Sequence, residues 1–337
     1  MSIPIVDLGP LLAGGGGALA DGGGAADAIR ALDAACRAHG FFYVANHGVP
    51  ATLLAELERL ARAFFAQDEA AKLQIRMSLG GRAWRGYFPV GGELTSGVPD
   101  WKEGIYFGTE LGPDDPAVRR GAPLHGPNLF PAIPGLREAV LAYMAACEQL
   151  GHTLMAALAA ALGHDPAAFR ARYLARPISL FRIFHYPPPA STGAPPAAWG
   201  VGEHTDYGLL TILAQDELGG LEIRTRDGWI DAPPVAGTFV CNLGDMLESI
   251  SGGRYRSTPH RVRNRAAAGR LSMPFFFDPS FDAAIEADPA AAASHTYERW
   301  DGRSVHAFEG TYGDYLLGKV SKVFPELREE VLAEPER

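Results

Sequence analysis

The chain has 337 residues, 47% hydrophobic and 20% charged, with a formal net charge of -9. That length carries one large domain or one core with an added layer, and the acidic balance excludes a general nucleic-acid binder, which needs a basic face. No apolar run approaches the ~20 residues of a membrane span, and the opening "MSIPIVDLGP" lacks the basic-then-apolar order of a secretory leader, so no membrane partner is expected. Cys36, Cys147 and Cys241 are scattered without a CxxC pair, which predicts core-filling thiols in a reduced, cytoplasmic setting.

In chain order, "IPIVDLGPLL" alternates as a short strand. The stretch "AGGGGALADGGG" over 13–24 lacks the GK[ST] ending and the GxGxxG spacing that aim amides at phosphates, so it reads as a flexible insertion. Ile29, Leu32, Cys36 and His39 fall at helical spacing, and Gly40 is placed to end that helix. "FFYVANHGV" reads as a strand, and Leu53, Leu54, Leu57, Leu60 and Phe64 form the stripe of a second helix. Residues 80–134 are rich in Gly and Pro, with Trp84, Tyr87, Phe88, Trp101, Tyr106 and Phe107 among them, and predict a loop-rich wall. A third helix runs over about 134–162, with Leu136, Val140, Tyr143, Cys147, Leu150, Leu154 and Leu158 on one side. At ~1.5 Å per residue it spans roughly 40 Å, enough to lie across a sheet.

After Pro177 the texture changes to "ISLFRIFHY", "LLTIL", "LEIR", "WIDA", "TFVCNL", "RYRSTPHRV" and "LSMPFFF", short β-type runs divided by Gly, Pro and Asp. Asp227-Gly228 predicts a hairpin turn, since both residues tolerate positive φ. Many short strands with regular turns predict a sandwich or barrel rather than alternating βαβ units. A closing helix is expected over about 312–324.

Within "GVGEHTDYGLLTIL", His204 and Asp206 are two apart and share a strand face, so a nitrogen and an oxygen can reach one point. His260, in "RSTPHRV", lies a hairpin and two strands further on, a path that can return it to an adjacent strand. Two His and one carboxylate make the ligand set of non-haem Fe(II) oxygenases and leave positions open; zinc more often has a closed tetrahedral shell. In "GRLSMPFFFDP", Arg270 and Ser272 again share a face, and a planar guanidinium beside a hydroxyl suits a carboxylate.

These stretches, with "GFFYVANHGV", "RGYFPVGGE", "FHYPP", "GGLEIR", "WIDAPP" and "CNLGDMLE", resemble the 2-oxoglutarate- and Fe(II)-dependent dioxygenases of the isopenicillin N synthase-like superfamily over nearly the whole chain. The resemblance implies a mainly β fold with flanking helices (α+β): a double-stranded β-helix, or jelly roll, behind an N-terminal helical and loop layer. It divides the chain into an N-terminal non-haem dioxygenase region (1–125), a long scaffold helix and connection (126–176), the jelly-roll core (177–282), and a C-terminal loop and helix (283–337), all one structural unit. It makes His204, Asp206 and His260 the Fe(II) ligands, Arg270 and Ser272 the clamp on the far carboxylate of 2-oxoglutarate, and Tyr186 a further contact to that cosubstrate. The implied activity is O2-dependent oxidation of a small organic molecule by hydroxylation, desaturation or cyclisation, with release of succinate and CO2. Many members carry Asn where this chain has Phe184, and a phenyl ring cannot donate that hydrogen bond, so the cosubstrate contacts differ there.

Parity from Arg270 and Ser272 carries to Phe276, which should face the iron cavity, and Tyr87, Phe88 and Trp101 could close over it; an apolar or aromatic-bearing small-molecule substrate is the expectation. His125, His152, His164, His295 and His306 have no partner at ligand spacing, and His47 and His185 read as structural. Asn242 and Asp245 read as caps of the helix that follows them. One alternative is a 2-oxoglutarate-independent iron oxidase that uses the Arg270–Ser272 pair on its own substrate; another is a non-catalytic metabolite-binding protein. Nothing in the sequence sets an oligomeric state.

Overall fold

The computed structural model describes residues 2–13, 23–188, 198–286 and 308–324. Most of the Gly-rich stretch read as a flexible insertion, together with His295 and His306, lies outside the described residues. Alternating apolar runs become β1 (Ile5–Asp7), β2 (Phe41–Ala45), β3 (Gly86–Phe88), β4 (Leu94–Thr95), β5 (Val98–Pro99), β6 (Glu103–Gly108), β7 (Pro177–Tyr186), β8 (Val201–His204), β9 (Leu210–Gln215), β10 (Leu221–Thr225), β11 (Gly228–Asp231), β12 (Thr238–Leu243), β13 (His260–Val262) and β14 (Arg270–Ser280). One sheet has the order β1-β2-β12-β9-β14-β7-β6-β3, a second β11-β10-β13-β8, and β4 pairs with β5. Neighbours are antiparallel except β1 on β2. The result is the expected jelly-roll core with flanking helices.

Two expectations need correction. The stretch over 80–134 is more than a loop-rich wall: β3 and β6 extend the large sheet, with Glu103 to Gly108 in register with His185 to Leu180. The Gly and Pro residues there punctuate strands instead of replacing them. The hairpin after β10 also sits one residue earlier than read, because Thr225 pairs with Gly228 and the loop is Arg226 and Asp227. Gly228 has φ 122, and Asp227 is not among the residues with positive φ.

Alternation divides the large sheet into two faces with different partners. On the outer face lie Phe181, Phe275 and Phe277, all fully buried, against the helix Leu136–Ala161. Tyr143 of that helix stands 4.9 Å from Phe181, ring centre to ring centre. At Gly151 the helix comes so close that a Cβ would lie 2.7 Å from Cγ of Phe277, so any side chain there must displace the ring. Burying each such phenyl ring stabilises the fold by roughly 1.5–3 kcal/mol. Gly40, at φ 64, turns the chain from the helix Gly23–Ala38 into β2, a left-handed conformation that most side chains avoid. The inner face carries the polar groups described next. Cys36, Cys147 and Cys241 are buried and unbonded, and no helix of the described residues is long and apolar enough to cross a membrane.

Candidate metal centre

The small sheet brings the two histidines together directly. His260 opens β13 and His204 ends β8, and the two are register partners, with ring centres 4.2 Å apart. Asp206 lies beyond the end of β8 rather than on it, in the turn toward β9. Its Oδ1 is 3.8 Å from His204 Nε2 and 3.7 Å from His260 Nε2. Ligands ~2.1 Å from a common ion lie ~3–3.5 Å apart, so a small inward adjustment would close the set. Each imidazole is oriented by its other nitrogen: Nδ1 of His204 faces the Gly202 carbonyl at 2.9 Å, and Nδ1 of His260 the Thr258 carbonyl at 3.1 Å. Donation there places the proton on Nδ1 and the lone pair on Nε2, toward Asp206.

Asp206 is held from the large sheet. Its Oδ2 accepts from the Thr211 hydroxyl and, at 2.6 Å, from the Asn242 amide, leaving Oδ1 for a cation. Thr211 and Asn242 are register partners on β9 and β12. Asn242 therefore does not cap the helix Asp245–Ile250, whose N-cap is Gly244 with no side-chain cap bond. Asp245, in the first turn, instead accepts from the Tyr315 hydroxyl at 2.6 Å. Sequence reasoning missed Thr211 and Asn242 as supports; the available signal was a polar residue inside each of two apolar strands.

The electrostatics suit a dication. Burial pushes His260 well down, with His204 beside it adding to the effect, and burial likewise lowers His204. Burial alone would raise the Asp206 carboxyl, but the charge the two imidazoles carry when protonated, and the bonds from Thr211 and Asn242, outweigh it and lower the group below its ordinary value. Neutral imidazoles and an ionised carboxylate are the protonation states that metal binding requires. Two nitrogens and one oxygen from one side match Fe(II) with its remaining positions open.

Arg270 begins β14 and is fully buried. Its Nε donates to the Gly219 carbonyl and its Nη2 to Gln215 Oε1 at 3.4 Å, while Nη1 is buried without a partner among the described residues. An unsatisfied buried donor on a cation costs at least about 1–3 kcal/mol, and an incoming carboxylate removes that cost. Ser272, two residues on, is buried and lies opposite Gln215 and Phe184. Tyr186 pairs with Arg270 in register, its ring 4.8 Å from the guanidinium carbon, and burial raises its phenol, which keeps it a neutral donor. Phe184 has Lys102 Nζ 4.7 Å from its ring centre and stands edge-on to Phe88 and Tyr106.

The four substrate-wall expectations separate. Phe276 pairs across the sheet with Thr211, the residue that holds Asp206, and so lies beside the triad. Phe88 joins Phe184 on the inner face. Tyr87, its neighbour in β3, points the opposite way: its hydroxyl donates to Glu103 at 2.7 Å and its ring packs on Phe64 of the helix Ala51–Phe65. Trp101 is half-buried, its backbone N–H donating to the Trp199 carbonyl at 3.0 Å. Among the other histidines, His47 stacks on Phe239 and His185 bonds Glu103 at 2.7 Å. A cavity of about 520 Å³ opens at the far ends of β7 and β14, and no triad or clamp residue lines it.

Comparison with known proteins agrees with this geometry. Residues 3–133 match the model of the non-haem dioxygenase N-terminal region, and 170–279 that of the 2OG-Fe(II) oxygenase superfamily. A Dictyostelium discoideum protein named "Probable iron/ascorbate oxidoreductase" is 47% identical over 89% of this chain and 90% of its own. The chain is a 2-oxoglutarate- and Fe(II)-dependent oxygenase of the isopenicillin N synthase-like superfamily. This oxygenase is also 37% identical to a homoarginine-6-hydroxylase of Glycine max, over 97% of this chain and 98% of that one. Among solved structures it is similar to a full-length Neurospora crassa protein crystallised in complex with α-ketoglutarate, with a TM-score of 0.76 and 27% identity over 95% and 96% of the two chains. It uses Fe(II), 2-oxoglutarate and O2.

Proposed function

We propose that this oxygenase hydroxylates an unactivated C–H bond of a small molecule, converting 2-oxoglutarate and O2 to succinate and CO2 as it does so. The supporting observation is the pairing of a one-sided His204–Asp206–His260 ligand set with the unpartnered Nη1 of Arg270. Fe(II), held by those three residues, would supply the redox chemistry that activates O2 and couples it to decarboxylation of the keto acid. The remaining work falls to the protein. Arg270, with Ser272 beside it, would take the far carboxylate of 2-oxoglutarate, and Tyr186 would cover the guanidinium. Thr211 and Asn242 fix Asp206, and the buried inner face keeps water from the reacting atoms. Hydroxylation, as opposed to desaturation or cyclisation, is favoured by the similarity to a homoarginine-6-hydroxylase along almost the full length of both chains.

The test is anaerobic loading with Fe(II) and 2-oxoglutarate, then admission of O2 with L-homoarginine as the first of a panel of candidate substrates. One succinate and one hydroxylated product per 2-oxoglutarate consumed is the expected result, lost in Asp206→Ala. A product formed without consumption of 2-oxoglutarate would identify an oxidase instead, and metal binding without any O2 uptake across the panel would identify a binding protein.

A further inference from the structure

The inner face of the large sheet holds a second group of charges that neither the ligand set nor the Arg270 clamp uses. Lys102 Nζ lies 2.6 Å from Asp100 Oδ2 and 2.9 Å from Glu93 Oε2. Thr95 donates to Asp100, and Tyr106 to Glu93. Both carboxylates thus have a buried ammonium as counter-ion and accept from one hydroxyl, although Glu93 Oε2 accepts no hydrogen bond among the described residues. Arg182, in the middle of β7, shares the Glu93 carboxylate but makes no hydrogen bond to it. Its nearest carboxylate oxygen, Glu93 Oε1, is 3.6 Å from Nη1, beyond hydrogen-bond range, and its Nε is buried without a partner among the described residues. The guanidinium carbon sits 4.0 Å from the Tyr106 ring centre and 4.8 Å from that of Phe276, residues of the two strands that flank β7. Those contacts hold the group in place yet satisfy none of its N–H donors. Phe276, whose ring the guanidinium contacts, is the register partner of Thr211, which donates to Asp206, so Arg182 shares the inner face with the ligand set.

We propose that Arg182 is the specificity-determining contact for the primary substrate, gripping a carboxylate of that molecule and so restricting the oxygenase to small organic acids. This rests on the reading of the protein as a 2-oxoglutarate-dependent hydroxylase. A planar fork whose Nε has no partner among the described residues and whose Nη1 lies 3.6 Å from its nearest carboxylate oxygen, held between two rings, favours a planar two-oxygen acceptor over a lone hydroxyl or an apolar group. The wall of Phe276, Phe88 and Tyr106 would then contact the carbon skeleton, so the substrate combines an anionic end with an apolar or extended body. That adds an anionic end to the apolar or aromatic-bearing body expected from the aromatic residues.

The test uses the full chain loaded with Fe(II) and 2-oxoglutarate, and a panel of α-amino acids (L-homoarginine, L-arginine, L-lysine) and arylacetic acids, each paired with its primary amide. Stimulation of succinate formation by an acid but not by its amide is expected. Arg182→Gln should raise the KM for that acid at least tenfold and abolish the discrimination between acid and amide, with Arg182→Lys intermediate. The absorption band of the Fe(II)–2-oxoglutarate complex should persist in both variants, which shows that they are folded. Equal stimulation by acid and amide, stimulation by amides alone, no stimulation by any acid, or an unchanged KM and discrimination in Arg182→Gln would each overturn the proposal. Should Arg182→Gln fail to fold, the acid–amide comparison in the unmodified protein and the Arg182→Lys variant still decide. Failure of the hydroxylase reading looks different: no 2-oxoglutarate is consumed under any condition, with or without a candidate acid, and both readings then end.

Discussion

Replacing Thr211 by Val should weaken metal binding without disturbing the fold. The substitution exchanges a hydroxyl for a methyl of nearly equal size and removes one of two donors to Asp206 Oδ2. A hydrogen bond to a buried ionised acceptor contributes about 1.5–3 kcal/mol. Part of that loss is recovered, because the Asn242 amide still donates at 2.6 Å. What is not recovered is the direction of the carboxylate: with one anchor it can rotate, and Oδ1 no longer dwells between the two Nε2 atoms 3.8 and 3.7 Å away. Loss of such a supporting contact lowers metal affinity ~10–100-fold, equivalent to about 1.4–2.7 kcal/mol.

Anaerobic titration with Fe(II) in competition with a chromophoric chelator reads that change directly. Asn242→Leu should behave alike, and the double variant should lose more than the sum of the two, since each single variant keeps the other's anchor; coupling of ~0.5–3 kcal/mol is usual for groups sharing one partner. If all three variants melt like the parent and bind Fe(II) within twofold of it, then the two donors do not set the aim of Asp206, and the account of the site given above is wrong.

Arg270→Lys should raise the 2-oxoglutarate concentration for half-saturation ~10–100-fold, because an ammonium cannot reproduce the planar fork; Fe(II) affinity should stay the same, and titration of the absorption band of the complex measures both. Gly151→Ala places a methyl 2.7 Å from Phe277 Cγ, and the forced displacement should cost about 1–3 kcal/mol in urea unfolding; an unchanged midpoint would mean that the helix does not rest on β14 there. Asp278 should impose an inverse pH dependence on stability. Burial, with Asp206 nearby adding to it, pushes its carboxyl up to about 7, against the opposing bond from Tyr312, whereas the unfolded chain titrates near 3.9. Between those values the native state holds a proton that the unfolded state lacks, so stability falls as pH rises through this window and levels off above it. The full span is roughly 4 kcal/mol. Asp278→Asn should flatten that slope in metal-free protein followed by denaturant unfolding from pH 4 to pH 8, and an unaltered slope would refute the assignment.

The clustering of His204, Asp206 and His260 was legible because its warrant is short-range. His204 and Asp206 are two residues apart, and His260 needed only a return strand, which β13 supplies by pairing with β8. Even there the reading was approximate, since Asp206 lies past the strand end and is aimed by Thr211 and Asn242 rather than by strand parity. Those two residues stayed hidden because a polar side chain in an apolar run gains meaning only from its neighbour across the sheet, and register between β9 and β12 is a long-range property. Tyr87 and Phe88 show a different failure. Adjacent residues in a strand face opposite ways, so at most one of them could line the inner cavity; reading the segment as loop concealed that constraint. Arg182 escaped notice for the same reason as Thr211, being one cation in "ISLFRIFHY" with nothing in sequence to show that its Nε lacks a partner.

The same alternation explains how one pair of strands serves two purposes. Along β14, Phe275 and Phe277 face the long helix while Arg270, Ser272 and Phe276 face the cavity; along β7, Phe181 faces outward while Tyr186, Phe184 and Arg182 face inward. A slip of one residue between these strands and their neighbours would send the guanidiniums into the apolar layer and the phenyl rings toward the metal ligands. The cost would be large on both faces at once. Packing against the helix Leu136–Ala161 is therefore a positioning force for the chemistry: the outer rings fix the register, and the register sets where Arg270, Ser272, Phe276 and Arg182 stand relative to His204, Asp206 and His260. A substitution such as Gly151→Ala, which touches no inner-face residue, should for that reason disturb 2-oxoglutarate binding as well as stability. An effect on stability with no change in cosubstrate affinity would separate the two faces and undo this argument.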